Sequence, residues 1–145
     1  MILKCIMTQC NYPILVLPQT RNGYEDYVSS SESFTIDSET FGYKLTENNF
    51  YKVYGILFYK EQIRFLIMDD DNMPGFFPST IFMIENSLMY FDYECRKYQI
   101  NNSELIIIGY SDLVNNYDEI CDLMFLRESA IENFLYNKDI IDKWH

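Results

Sequence analysis

The stretch "FYKVYGILFYKEQIRFLIM" (residues 50–68) decides the predicted fold of this 145-residue chain. Residues 50–59 carry apolar or aromatic side chains on both strand faces, as in a strand covered on two sides. The apolar segment 63–68 follows after only "KEQ". The two segments are therefore predicted to form an antiparallel hairpin, in which Ile63, Phe65 and Ile67 share one face.

Further strands are predicted on both sides of this hairpin. Short apolar segments at 2–7, 13–17 and 80–85 indicate strands, and the aliphatic run "LIIIG" (105–109) indicates an interior strand. The polar, Ser-rich segment 19–40 is the most loop-like, with room for small strands at Tyr24–Val28 and Ser33–Ile36.

The segment "LMYFDYEC" (88–95) alternates like a strand with one buried face. The alternation predicts an inward set and an outward set of side chains. The inward set is Met89, Phe91, Tyr93 and Cys95, and the outward set is Tyr90, Asp92 and Glu94.

After Tyr110 the pattern becomes helical. Asn116 with Glu119 predicts one helix start, and Ser129 with Glu132 forms a capping box that predicts another. A helical stripe follows, made of Ala130, Ile131, Phe134, Leu135, Ile140, Ile141 and Trp144. Strands first and helices last predict an α+β fold, with a mainly antiparallel sheet from the N-terminal two-thirds and C-terminal helices packed on it. We expect one domain over 1–145, strand-rich over 1–110 and helical over 111–145.

The charge balance limits the partners. Acidic residues outnumber basic ones 22 to 11, for a net charge of −11. Such a field repels nucleic-acid phosphates and anionic membranes and attracts cationic proteins. We therefore expect neither direct nucleic-acid binding nor membrane binding. The acids can also serve solubility alone, since 17% of the residues are aromatic.

The expected compartment is the cytoplasm. No apolar run reaches the roughly 18 residues of a membrane helix, and the first residues lack the small-residue cleavage site of a signal peptide. The cysteines lie far apart without a C-x-x-C pair, so we expect free thiols, most of them buried: Cys5, Cys10, Cys95 and Cys121.

The segment "DDDNMPG" (69–75) raises the question of a metal site. Aligned as an EF-hand loop from Asp70, it has Pro74 and Ile81 where two ligands are required. Consecutive residues at a strand end point in alternate directions, so three adjacent aspartates rarely converge on one ion. Asp, Asn, Pro and Gly favour turns. We predict a strand-ending turn that also concentrates charge, and no metal.

No catalytic residue or cofactor site is predicted. The only histidine is His145, which is a poor base for a serine or cysteine nucleophile. The five glycines form neither a dinucleotide-binding pattern nor a P-loop. We therefore expect a binding protein that is not an enzyme.

The segment "YKVYGILFYKEQIRFLIMDDDNMPGFFPSTIFMIEN" (51–86) resembles small cytoplasmic bacterial immunity proteins of contact-dependent or polymorphic toxin systems. The residues that carry the resemblance follow or lie within its strands: Asp69, Asp70, Pro74, Phe77, Pro78 and Phe82. The resemblance covers about a quarter of the chain and assigns no functional residue. It implies a protein that neutralises a cognate toxin.

The expected partner is a basic toxin domain, with a nuclease as the expected class. Acids steer a cationic partner and tyrosines anchor it, since tyrosine is enriched in binding hot spots. The candidate contact residues come from three segments: Glu25, Asp26, Asp69, Asp70, Asp71, Tyr90, Asp92 and Glu94. Two alternatives stay open. One is an acidic DNA mimic that inhibits a nucleic-acid enzyme, and the other is a metal-dependent hydrolase that uses the 69–71 aspartates.

Overall fold

The computed structural model describes residues 1–11, 14–17, 34–36 and 40–144. Its described elements are twelve strands, one 3₁₀ turn and three α-helices, with every strand before Tyr110 and every helix after it. In chain order they are β1 (Ile2–Cys5), β2 (Gln9–Asn11), β3 (Ile14–Val16), β4 (Phe34–Ile36), β5 (Thr40–Gly42), β6 (Phe50–Lys52), β7 (Gly55–Tyr59), β8 (Gln62–Met68), β9 (Pro74–Pro78), the turn Ser79–Ile81, β10 (Phe82–Asn86), β11 (Glu94–Ile100), β12 (Ser103–Gly109), α1 (Ser111–Val114), α2 (Tyr117–Met124) and α3 (Glu128–Lys143).

The strands form two main antiparallel sheets. The larger has the order β11-β12-β7-β8-β9 and the smaller the order β10-β1-β6. Two-stranded ribbons pair β2 with β5 and β3 with β4. The predicted α+β class, with helices packed on a mainly antiparallel sheet, is confirmed.

The central hairpin is confirmed, although the segment 50–59 is divided between the two sheets. Lys60 and Glu61 have φ values of 47° and 62°, so they form the tight turn that joins β7 to β8. Upstream, the Val53 N–H donates to the carbonyl of Met1, whereas the Tyr54 N–H donates to Leu66 in β8. The chain therefore leaves the smaller sheet and enters the larger one between these two residues.

The larger sheet is buried on both faces, which explains its continuous apolar runs. One face packs against the helices through Leu57, Leu66 and Ile107, which share a core with Phe134 of α3. The other face packs against the smaller sheet in a second core, through side chains that include Phe65 and Ile67. The molecule is thus layered as helices, five-stranded sheet and three-stranded sheet.

Two glycines let the first helix lie close to the sheet. Gly55 of β7 and Gly109 of β12 lie opposite each other, and a Cβ on either would come within 3.2 Å of a Leu113 side-chain carbon. Because these residues have no side chains, there is room for Leu113 of α1, which is fully buried. This close packing fixes α1 and the residues that follow it against the end of the sheet.

The strand predicted over 88–95 is wrong. The chain makes a turn at 91–92, closed by a hydrogen bond from the Tyr93 N–H to the Tyr90 carbonyl, and β11 begins only at Glu94. The predicted facing is wrong at Tyr90, which is 8% exposed, and at Phe91, which is 77% exposed. Cys95 is exposed as well. Met89 and Tyr93 are partly buried, and Asp92 and Glu94 are exposed, as predicted. A turn restarts the alternation, so the period-2 pattern before it no longer reports the buried face.

The helix starts are partly as predicted. Asn116 caps α2, with its side-chain oxygen accepting from the Asp118 N–H at 3.0 Å, as expected. The capping box at Ser129 is wrong, because α3 begins at Glu128 and Arg127 precedes it. Within the described parts of the chain, no helix combines the length and the apolar character needed to cross a membrane.

Candidate functional site at the helix junction

In the predicted acidic loop, the Asp69 carboxylate accepts hydrogen bonds from the backbone of its own turn. Asp69 Oδ1 accepts from the N–H groups of Asp71 and Met73, both at 2.9 Å, and the Asp69 N–H donates to the Met73 carbonyl. Asn72 has a φ of 60°, which Asn tolerates in turns. The predicted strand-ending turn is therefore present, and the Asp69 carboxylate stabilises it.

Asp70 joins this loop to the smaller sheet. Its two carboxylate oxygens accept from the Thr46 hydroxyl and from the Tyr51 hydroxyl, each at 2.7 Å. The Tyr51 oxygen in turn accepts from the Thr46 N–H at 2.8 Å. Asp69 and Asp70 thus contact different groups. Within the described residues, no three His, Cys, Asp or Glu side chains lie together as metal ligands do.

The other predicted contact residues have separate positions. Glu25 and Asp26 lie outside the described residues. Tyr90 is wrong as an outward contact, because its ring is buried against Tyr93 with the ring centres 5.4 Å apart. Asp92 is exposed in the turn after it, and Glu94 is exposed at the start of β11.

The structure also contains a pocket that was not predicted from the sequence. Glu94 contacts its lining through a hydrogen bond from Asn115. The pocket has a volume of about 380 Å³, and polar side chains from all three helices and their connections line it. They are Ser111, Asp112, Asn115, Asn116, Glu119 and Asn133. Pockets for apolar molecules are lined mostly by hydrophobic side chains. This lining suits a charged, hydrogen-bonding group.

The junction of α1 and α2 brings these side chains together. Asn115 follows α1, and its amide nitrogen donates to Glu94 Oε2 at 2.6 Å and to the Ser111 carbonyl at 3.1 Å. Its amide oxygen accepts from Arg96 at 3.2 Å. Asn116, the next residue, caps α2. The two amides are therefore held by the backbone and by β11.

The third helix closes the pocket from the opposite side. Asn133 donates to Glu119 Oε1 at 3.1 Å, and Asn137 donates to Asp112 Oδ2 at 3.3 Å. Asn137 also donates to the Asn133 side-chain oxygen at 3.2 Å. Each pocket carboxylate thus has one oxygen in a hydrogen bond to α3.

Two titratable groups at the helix junction, Glu119 and Tyr110, have raised pKa values. Burial raises the pKa of Glu119 against the hydrogen bond from Asn133, and the charges of Asp122 and Asp112 raise it further. Tyr110 is 3% exposed, and its hydroxyl has no hydrogen-bond partner among the described residues. Burial, Glu119 and Asp112 together raise the pKa of Tyr110. An unpaired buried hydroxyl costs about 1–3 kcal/mol.

The surrounding helical segment is also acidic. Residues 111–144 hold eight acidic side chains and three basic ones. Two of the basic residues, Arg127 and Lys138, pair with Asp122 and Asp142 at 3.1 and 2.7 Å. The acids are Asp112, Asp118, Glu119, Asp122, Glu128, Glu132, Asp139 and Asp142, and the bases are Arg127, Lys138 and Lys143. A cationic partner would therefore be attracted to this end of the molecule.

An exposed aromatic pair lies at the end of α3. It consists of Phe91 and Trp144, which are 77% and 67% exposed. Their rings meet edge to face, with centroids 6.2 Å apart. We name these two residues the aromatic patch. Exposed aromatic pairs of this kind are typical of interface hot spots.

The aromatic patch and the pocket are close enough for one partner to cover both. Phe91 is three residues from Glu94, so their Cα atoms are at most about 11 Å apart. Along α3, the eleven residues from Asn133 to Trp144 span about 16 Å. One side of a standard interface covers about 800 Å² and is roughly 30 Å across.

Part of this site has a signal in the sequence. "SDLVNNYDE" (111–119) concentrates acids and amides around a helix boundary and supplies five of the six lining residues. Asn133 lies fourteen residues further on, and only the packing of α3 brings it to the pocket. Comparison with protein-family models, with curated proteins and with solved structures finds no match.

Proposed function

We propose that this chain is a cytoplasmic immunity protein that binds a basic toxin domain, expected to be a nuclease, and neutralises it without catalysis. The observation that carries the proposal is the aromatic patch, whose Trp144 ends α3, the helix that also lines the acidic pocket through Asn133. This combination supplies an apolar anchor and a directing charge on the same helix.

The aromatic patch supports a protein partner. A small molecule would need an enclosed apolar pocket, whereas Phe91 and Trp144 form a raised exposed pair. Aromatic side chains of this kind provide large, rigid contact area and contribute most of the binding energy in many interfaces. Their exposure in the free chain also means that the fold does not need them for its own core.

The acidic helices support a cationic partner. The two pocket carboxylates each have one oxygen without a hydrogen bond from a described residue, since only Oε1 of Glu119 and Oδ2 of Asp112 are used. Acidic side chains of this kind increase the association rate with a basic protein and select against acidic ones. Nuclease domains are commonly basic because they bind phosphates.

The test is protection of cells from a basic toxin domain, which is to be sought first in the genes next to the one for this chain. Wild-type protein should restore growth, and the double variant Phe91→Ala/Trp144→Ala should lose protection because its affinity falls by about 100-fold, the size of hot-spot losses. Phe50→Ala is the matched control, because Phe50 is an exposed aromatic residue of the smaller sheet. Full protection by the double variant, at equal protein levels, would contradict the proposal.

A further inference from the structure

The helix-junction pocket has the chemistry of a receptor for one cationic side chain. We infer that it binds an arginine guanidinium group of the partner, an inference that rests on the proposed function for its biological source.

Each amide oxygen of the pocket already accepts one hydrogen bond. The oxygen of Asn115 accepts from Arg96, that of Asn116 from the Asp118 N–H, and that of Asn133 from Asn137. Among the side-chain oxygens of the lining, those without any hydrogen bond from a described residue are carboxylate oxygens, one each on Asp112 and Glu119. Two such oxygens are far fewer than the six to eight ligands of a calcium ion.

Two carboxylate acceptors from different helices favour a ligand with several donors in a fixed plane. Guanidinium offers five N–H donors in a rigid fork and can contact two carboxylates at once. A lysine ammonium is a compact and strongly hydrated charge, so it loses more hydration in a partly closed pocket. No lysine or arginine side chain lines the pocket.

Tyr110 is a second, independent observation at this junction. It precedes the lining residue Ser111, it is 3% exposed, and its hydroxyl has no partner among the described residues. After burial, the charges of Glu119 and Asp112 are the next causes that raise its pKa, so both carboxylates act on this buried hydroxyl. The junction thus combines carboxylates that have free oxygens with a buried hydroxyl that lacks a partner.

The experiment is an NMR titration of the full chain with N-acetyl-arginine amide, which is a peptide-like probe. We expect saturable shifts of the side-chain amide signals of Asn115 and Asn133, with a Kd on the order of millimolar, as for a single charged contact. Citrulline amide, which is neutral and of the same shape, should cause no such shifts. Glu119→Gln should weaken binding at least about fivefold, and Glu85→Gln should not change it.

Three results would overturn the assignment. They are the absence of saturable shifts, equal shifts with the citrulline probe, and equal affinity for the corresponding lysine derivative. Failure here is distinguishable from failure of the proposed function. A pocket that ignores arginine leaves toxin protection intact if the partner is held by the aromatic patch, whereas lack of protection with normal arginine binding refutes the immunity role alone.

Discussion

The 69–71 aspartate loop and the helix-junction pocket are both acidic, but their carboxylates are used differently. In the loop, Asp69 Oδ1 accepts two N–H bonds of its own turn, and both oxygens of Asp70 accept hydrogen bonds from Thr46 and Tyr51. In the pocket, Asp112 and Glu119 each accept one hydrogen bond from α3. Asp69 and Asp70 thus stabilise a turn and its contact with the smaller sheet, and we propose that the pocket carboxylates, which accept fewer internal bonds, are the ones that meet a partner.

Among substitutions within these two acidic regions, neutralising the pocket should have the largest effect. In Asp112→Asn/Glu119→Gln the amide groups keep the shape and the contacts to α3 but remove both charges. We expect affinity for the toxin domain to fall about 30-fold, which corresponds to about 2 kcal/mol. Calorimetric titration measures it. Asp71→Asn removes an exposed carboxylate of the loop and should change affinity less than about twofold. A larger loss of affinity for Asp71→Asn than for the pocket double variant would show that the partner binds the loop.

A stability effect should follow from the loop. Asp70→Ala leaves the hydroxyls of Thr46 and Tyr51 without their acceptor, so the free energy of unfolding should fall by about 1.5 kcal/mol. Asp71→Ala should change it by less than about 0.5 kcal/mol, as is usual for exposed positions. Urea denaturation compares the two variants. Equal stability of both would show that the Asp70 contacts contribute nothing.

A pair of tyrosine substitutions compares the two regions directly. The Tyr51 hydroxyl donates to Asp70 and accepts from Thr46, whereas the Tyr110 hydroxyl has no described partner. Tyr51→Phe should cost about 1 kcal/mol, and Tyr110→Phe should be neutral or slightly stabilising. Thermal unfolding measures both. A clear loss in Tyr110→Phe would mean that its hydroxyl is satisfied in solution.

The smallest expected effect is a pH dependence at Glu119. Its pKa in the folded chain is raised above the ordinary value of 4.5, so the stabilising neutral form is lost as pH rises through the folded pKa. Glu119→Gln keeps the neutral form at every pH. Wild type should therefore lose stability relative to Glu119→Gln between pH 4 and pH 7, in paired urea titrations. A difference that is constant over this range would contradict the raised pKa.

The fold was predictable where local pattern and tertiary packing agree. The β7–β8 hairpin follows from two apolar runs joined by Lys60 and Glu61, and the Asn116 cap from its position before "YDE". The segment 88–95 was not, because its alternation resembles a strand while the chain turns at 91–92. That turn exposes Phe91 and buries Tyr90, which reverses the predicted contact.

The site was less predictable than the fold. The acids and amides of 111–119 are visible in the sequence, but composition does not show which carboxylates have free oxygens. Asn133 and Asn137 reach Glu119 and Asp112 only after α3 packs across α2. The aromatic patch likewise joins Phe91 and Trp144, which are 53 residues apart in the sequence. Such convergence depends on tertiary structure that periodicity does not encode.

The most direct test of the central claim is hydrogen–deuterium exchange of the chain with and without a basic toxin domain, the partner that we propose. A partner that covers the aromatic patch and the helix-junction pocket should slow exchange at 91–96, at 111–119 and in the last turns of α3. It should leave exchange at 69–73 unchanged. Slowed exchange confined to 69–73 and the smaller sheet, with the helix junction unaffected, would contradict the account.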